Sequence, residues 1–153
     1  MNLYSFLKFL HVVSVIFWIG GVSSLGFVGW RIAQARNREL LLTLFQEGTR
    51  YGQRVVGPAA GLVLLTGLAM VGIGHIGFGT FWVWFGYAGV LAQALYGGFV
   101  MQKRAGELRQ VASASSGDDV ALVAAARRLK NAQIIYLVLF AIVIAAMVIK
   151  PTL

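Results

Sequence analysis

A histidine eleven residues into the chain lies within an apolar run, and the polar residues around it are spaced like one side of a helix. Tyr4, Lys8, His11, Ser14 and Trp18 follow each other at intervals of three or four residues, which in an α-helix aligns them along a single face. If the run crosses a bilayer, a rise of 1.5 Å per residue puts His11 roughly 10 Å below the near surface. Lys8 can extend its stem back to that surface. An imidazole as deep as His11 must be neutral and hydrogen-bonded, charged and paired, or bound to a metal or haem. A hydrogen bond to another helix is the ordinary fate of such a residue.

Three other residues could share a site with it. Met70, His75 and Met147 fall near the same end of their own segments. Histidine with thioether sulfur suits Cu(I), because both ligands are soft enough for it. The same pair, or two histidines, can ligate haem iron axially. Met70 and Met147 equally read as flexible filler in apolar helices, and His75, in a glycine-rich turn, as a solvated interfacial residue.

Positioning these groups falls to elements that the composition already limits. The chain has 153 residues, of which 59% are hydrophobic and 12% charged. A soluble globule spends about a quarter of its residues on charge, and so apolar a chain cannot stay disordered. With no cysteine, disulfides, thiolate metal centres, iron–sulfur clusters and covalently attached haem are excluded.

Four stretches, residues 3–30, 55–74, 81–101 and 132–149, reach the roughly 20 apolar residues that span a bilayer as a helix. They are too long for barrel strands and do not alternate. The expected fold is all-α, an integral membrane four-helix bundle forming one domain over residues 1–153. Lys8 inside the first run favours a retained span over a cleaved signal peptide.

Charge sets the expected orientation. Eleven of the thirteen Lys and Arg residues lie in the two connections at 31–54 and 103–130, none in the turn at 75–80, and one near each terminus. The positive-inside rule then puts both connections in the cytoplasm and both termini outside, which in a bacterial inner membrane is the periplasm. The formal net charge of +8 is therefore a topological signal with a secondary attraction for anionic lipid, and nucleic acid is not an expected partner. Both connections read as helical. Asn37 caps an amphipathic helix with Leu40, Leu41, Leu44 and Phe45 on one face. Residues 112–117 form a break, after which Ser116 or Asp118 caps a helix running into the fourth span.

Small residues mark where membrane helices approach closely. Gly57 and Gly61 form a Gly-x-x-x-Gly interface, with Pro58 tolerated in a first helical turn. On the third span Gly86, Gly89 or Val90, Gln93 and Gly97 share a face, and Gln93 needs an interhelical partner. Tyr4, Trp30, Trp82 and Trp84 fit the aromatic belts of the two interfaces. All five acidic residues lie outside the spans, so the relays of proton-driven carriers are missing. No phosphate loop, nucleophile elbow or His-Glu-x-x-His pattern occurs.

The run Phe9-Leu-His11-Val-Val-Ser-Val-Ile-Phe-Trp18-Ile-Gly20-Gly21 resembles the first span of a bacterial superfamily of four-helix membrane proteins. That superfamily includes copper-resistance D-type proteins, membrane-type protoporphyrinogen oxidases and an uncharacterised family of predicted integral membrane proteins. Arg54, Pro58, Thr66-Gly67-Leu68 and Val148-Ile149-Lys150-Pro151 carry the likeness onward, which is nearest to the uncharacterised family. In the oxidase branch the residue matching His11 ligates haem b, with a second histidine early in the third span. That second histidine is absent here, Trp84 and Gly86 standing about where it would fall, which argues against the oxidase activity.

Three functions remain open: haem b on His11, with Met70, Met147 or water opposite; copper on His11 with Met70, Met147 or His75; or no cofactor at all. In the last, the chain is a structural or assembly subunit facing lipid and a membrane partner or a second copy of itself.

Overall fold

The structure, a computed structural model, describes residues 2–77, 80–114 and 118–150. Four long helices carry almost all of them: α1 (Leu3–Gln34), α2 (Arg38–Ile73), α3 (Phe81–Ser113) and α4 (Asp119–Ile149), each long and apolar enough to cross a membrane. Three begin on side-chain caps that satisfy otherwise orphaned N–H groups. Asn2 accepts from the Ser5 N–H at 2.8 Å, Asn37 from that of Leu40 at 3.0 Å, and Asp118 from those of Val120 and Ala121 at 3.0 Å. Ser116, the other expected cap, lies outside the described residues.

The connections are not separate loops. At 1.5 Å per residue the 31 residues of α4 extend about 46 Å, well beyond a hydrocarbon core of about 30 Å. The surplus projects at the basic end. There the ends of α1 and α3 and the beginnings of α2 and α4 enclose Ala33, Leu41, Leu108, Ala112, Leu122, Ala125 and Ala126. The amphipathic helix after Asn37 exists, but its buried edge is Leu41, at 0% exposure, whereas Leu40 is 48% exposed. The packing stripe passes through Leu41, Leu44 and Phe45, leaving Leu40 outside it.

A second cluster, Trp18, Ala59, Val63, Tyr136 and Phe140, fills the membrane-crossing part. Here α1 packs against both α2 and α4, and α3 against α4. The outer halves of α2 and α3 scarcely touch among the described residues, although their basic halves do. α3 and α4 mesh as the shared glycine face predicts. A Cβ on Gly86 would stand 1.6 Å from the Met147 methyl and one on Gly89 2.3 Å from Val143, so both glycines are notches for α4 side chains.

Two features refine the sequence reading. Pro58 stands in the first turn of the α-helical segment Gly57–Ile73, but a π-helical turn at Gly52–Val56 joins that segment without a break to the helix before it. A proline offers no N–H to the i−4 carbonyl, and the wider turn, in which the Gly57 N–H reaches Gly52 O, accommodates the interrupted ladder. A second π-helical turn covers Tyr96–Met101. Among the described residues the Gly57–Gly61 motif meets no other helix closely. A Cβ on Gly61 would meet nothing within 4 Å, and one on Gly57 only Gly52 O of its own helix.

Candidate functional site

His11 sits on the seam of α1 that also buries Ser14, Trp18 and Gly21. Helical spacing of three and four residues aims this seam at α2 and α4. Across it, Ala59, Val63 and Thr66 form the buried edge of α2. His11 Nδ1 lies 2.9 Å from Thr66 Oγ1. The Thr66 hydroxyl has one proton, and its shortest contact is to the Leu62 carbonyl one turn back. With the hydroxyl donating to Leu62 O it can accept from His11 Nδ1–H, and in the neutral tautomer that matches this order Nε2 keeps its lone pair.

Gly67 completes the fit. A Cβ there would lie 3.6 Å from His11 Cε1, so the imidazole rests in ordinary contact with the glycine surface of α2. Ser14, one turn further in, donates back to the Leu10 carbonyl at 2.8 Å. Trp18 closes the lower side, edge-on to Phe140 with ring centroids 4.8 Å apart.

The other expected site residues are dispersed. Met70 follows Thr66 by four residues on the same face of α2, one turn outward. Met147 is seated against Gly86 in the α3–α4 seam, where its flexible chain fills a notch. His75 is exposed in the turn after α2, with a left-handed φ of 50°. It lies nine residues beyond Thr66, more than about 10 Å along the helix direction, so it is not brought to His11. Among the described residues no three His, Asp or Glu side chains gather in a way that could hold a metal ion. Neither of the two surface depressions found at the basic side of the molecule includes His11.

The third-span expectation for Gln93 is met at α4. Its Nε2 donates to the Tyr136 carbonyl at 3.2 Å, while Oε1 has no partner among the described residues. Gln133 does the same across another seam, donating to Val22 O at 2.9 Å. Its amide occupies the space that a Cβ on Gly26 would need, 1.4 Å away. Sequence reasoning missed Gln133 and gave Thr66 no role. The signal was there: each is a lone polar residue in an apolar span, and Gly26 opposite is small.

The aromatic belts are present with added cations. Lys130 Nζ stands 4.3 Å over the Trp30 ring and Lys150 Nζ 5.2 Å from that of Trp82, while Trp84 is exposed. Lys8 is exposed and Tyr4 packs beside Gly74.

The family model described as predicted integral membrane protein (DUF2269) matches residues 5–151, all four helices included. The chain belongs to that family. No curated protein and no solved structure matches it. It is a multi-pass integral membrane protein.

Proposed function

We propose that this family member is a non-catalytic scaffold or assembly subunit of the membrane, in which His11 clamps α1 to α2. The observation that supports the reading is the His11–Thr66 hydrogen bond, made in a seam closed by Gly67 and Trp18. Gln93 and Gln133 act in the same manner on α4, so the polar residues of the spans serve as glue between helices. The partner on this reading is another membrane protein or a second copy of the chain, with the outward Gly57 and Gly61 free for its approach. The charge asymmetry favours a bacterial inner membrane, with the basic end in the cytoplasm and both termini in the periplasm.

A second reading has one observation in its favour. In the tautomer that donates from Nδ1 to Thr66, Nε2 of His11 keeps a lone pair, the arrangement in which a metal-binding histidine is held by its other nitrogen. A kinship with membrane-type protoporphyrinogen oxidases would then place haem b on His11, with Met70 as the nearest candidate for the opposite side. The ring is part-buried in the packed α1–α2 seam, and neither depression at the basic end borders it. Copper handling, as in copper-resistance D-type proteins, has less support, because His75 and Met147 stand away from His11.

Absorption spectra of detergent-purified protein, made with and without haem supplementation, separate these readings. The scaffold predicts no Soret band and no stoichiometric copper, with His11→Ala lowering thermal stability and nothing else. A Soret band that His11→Ala removes overturns it in favour of haem, and stoichiometric copper lost in a Met70→Ala/His11→Ala pair overturns it in favour of metal handling.

A further inference from the structure

The basic end carries a depression of about 490 Å³ at the junction of α1 and α4, independent of the His11 seam. Its wall includes Arg36, Arg127, Arg128 and Asn131, over a floor of Val123 and Ala124. The one carboxylate in it is that of Asp119, which faces Arg36 and Arg38, each at 3.4 Å. Two guanidiniums thus share one carboxylate, while Arg127 and Arg128 have no ion-pair partner among the described residues. The neighbouring Asp118 carboxylate is engaged in capping α4. The depression has an uncompensated positive charge, and Asn131 adds a neutral donor.

Its depth in the membrane follows from its neighbours. Lys130 stands over the ring of Trp30, a pairing suited to the headgroup layer, where indole and ammonium both find wet and apolar surroundings. Arg127, Arg128 and Asn131 lie within one turn of Lys130, so the cations lie at the level of lipid phosphates. The face does not end there. Ala124, Arg127 and Asn131 continue at helical spacing into Ile135, Val138 and Ile142, which are 51%, 53% and 49% exposed. A cationic notch therefore leads directly into an exposed apolar stripe on the same side of α4.

We propose that this notch binds the phosphate of an anionic phospholipid, with an acyl chain lying along Ile135, Val138 and Ile142. The charge recognised is phosphate in either case, but a soluble phosphate ester would use only the notch, and the continuous apolar stripe fits a molecule with a tail. Guanidinium groups suit the task because they present several donors in a plane to phosphate oxygens. The site differs from the general attraction of a basic membrane face in being local: it needs Arg127 and Arg128, not merely positive charge at that end.

The test uses full-length protein in a zwitterionic detergent, titrated calorimetrically with short-chain phosphatidylglycerol, phosphatidylcholine or glycerol 3-phosphate. Phosphatidylglycerol is expected to bind, and the other two at least about tenfold more weakly. At roughly 1 kcal/mol for each cation near the lipid, Arg127→Gln/Arg128→Gln weakens the phosphatidylglycerol Kd about thirtyfold. Both side chains are exposed, so the variant folds, which an unchanged circular dichroism melt verifies. Lys103→Gln/Arg109→Gln removes the same charge from α3, away from the depression, and changes the Kd by less than about threefold. Equal losses in the two double variants would mean diffuse attraction and overturn the site. So would no loss in either, or glycerol 3-phosphate binding as tightly as the lipid, which would assign the notch to a soluble phosphate.

Discussion

At the basic end, Ala33, Leu41 and Leu122 are sealed to 0% exposure and the surrounding charges pair at the rim. In the membrane-crossing half the buried set is Trp18, Tyr136 and Phe140, joined by Ser14, Thr66, Gln93 and Gln133. The first region lies among the charged ends of the helices, where water reaches and removing apolar area from it is itself a driving force. The second stands in lipid, where tails are as apolar as leucine and helices are held by shape and by hydrogen bonds. One chain of four continuous helices therefore uses two kinds of cohesion along their length, and the same substitution should have different consequences in the two.

The largest expected effect is at the basic end. Leu41→Ala removes a fully enclosed side chain and should cost about 2–5 kcal/mol in the unfolding of that end, read as early loss of helicity in a thermal melt. A matching truncation of a lipid-facing residue such as Leu65, 65% exposed, should cost far less because lipid replaces the lost contacts. Similar losses at both positions would erase the contrast. Next come the glycines. Gly26→Ala must displace the Gln133 amide and its bond to Val22 O, at about 1–3 kcal/mol for overpacking. Gly61→Ala, where a Cβ meets nothing within 4 Å, should leave the stability of the isolated chain unchanged.

That pair of glycines also shows where the sequence was readable. The four spans, the Asn37 and Asp118 caps, the run of α4 into the last span and the α3 glycine face follow from local rules: apolar length, capping chemistry and helical spacing. Gly57 and Gly61 share the spacing of an interface, yet α2 turns Ala59, Val63 and Thr66 toward its neighbours in the chain and leaves these two glycines outward. A periodicity count does not say which face of a helix meets its own chain and which stays open to a partner. His11 was legible as a buried polar residue. Its partner Thr66 was not, because pairing across 55 residues depends on the relative height of two helices, which apolar runs with diffuse ends do not fix.

A smaller effect tests the cap at the break. Asp118→Ala frees the Val120 and Ala121 N–H groups and should cost about 1 kcal/mol, seen as faster amide exchange confined to the first turn of α4. Exchange spreading through Leu122 and Ala126 would mean that the cap governs the whole basic end.

The smallest effect is the most discriminating for His11. Thr66→Val keeps the shape of the side chain and removes the hydroxyl that accepts from Nδ1–H. Interhelical hydrogen bonds in membranes average about 0.6 kcal/mol in double-mutant cycles, so His11→Ala and Thr66→Val should be coupled by about that much. Zero coupling would show that the two rings of contacts act separately and that the clamp is not what holds the imidazole. A coupling with the opposite sign, the threonine variant being stabilised by the presence of His11, would mean that the ring has another partner. In that case the scaffold reading would yield to one in which His11 is held for a ligand.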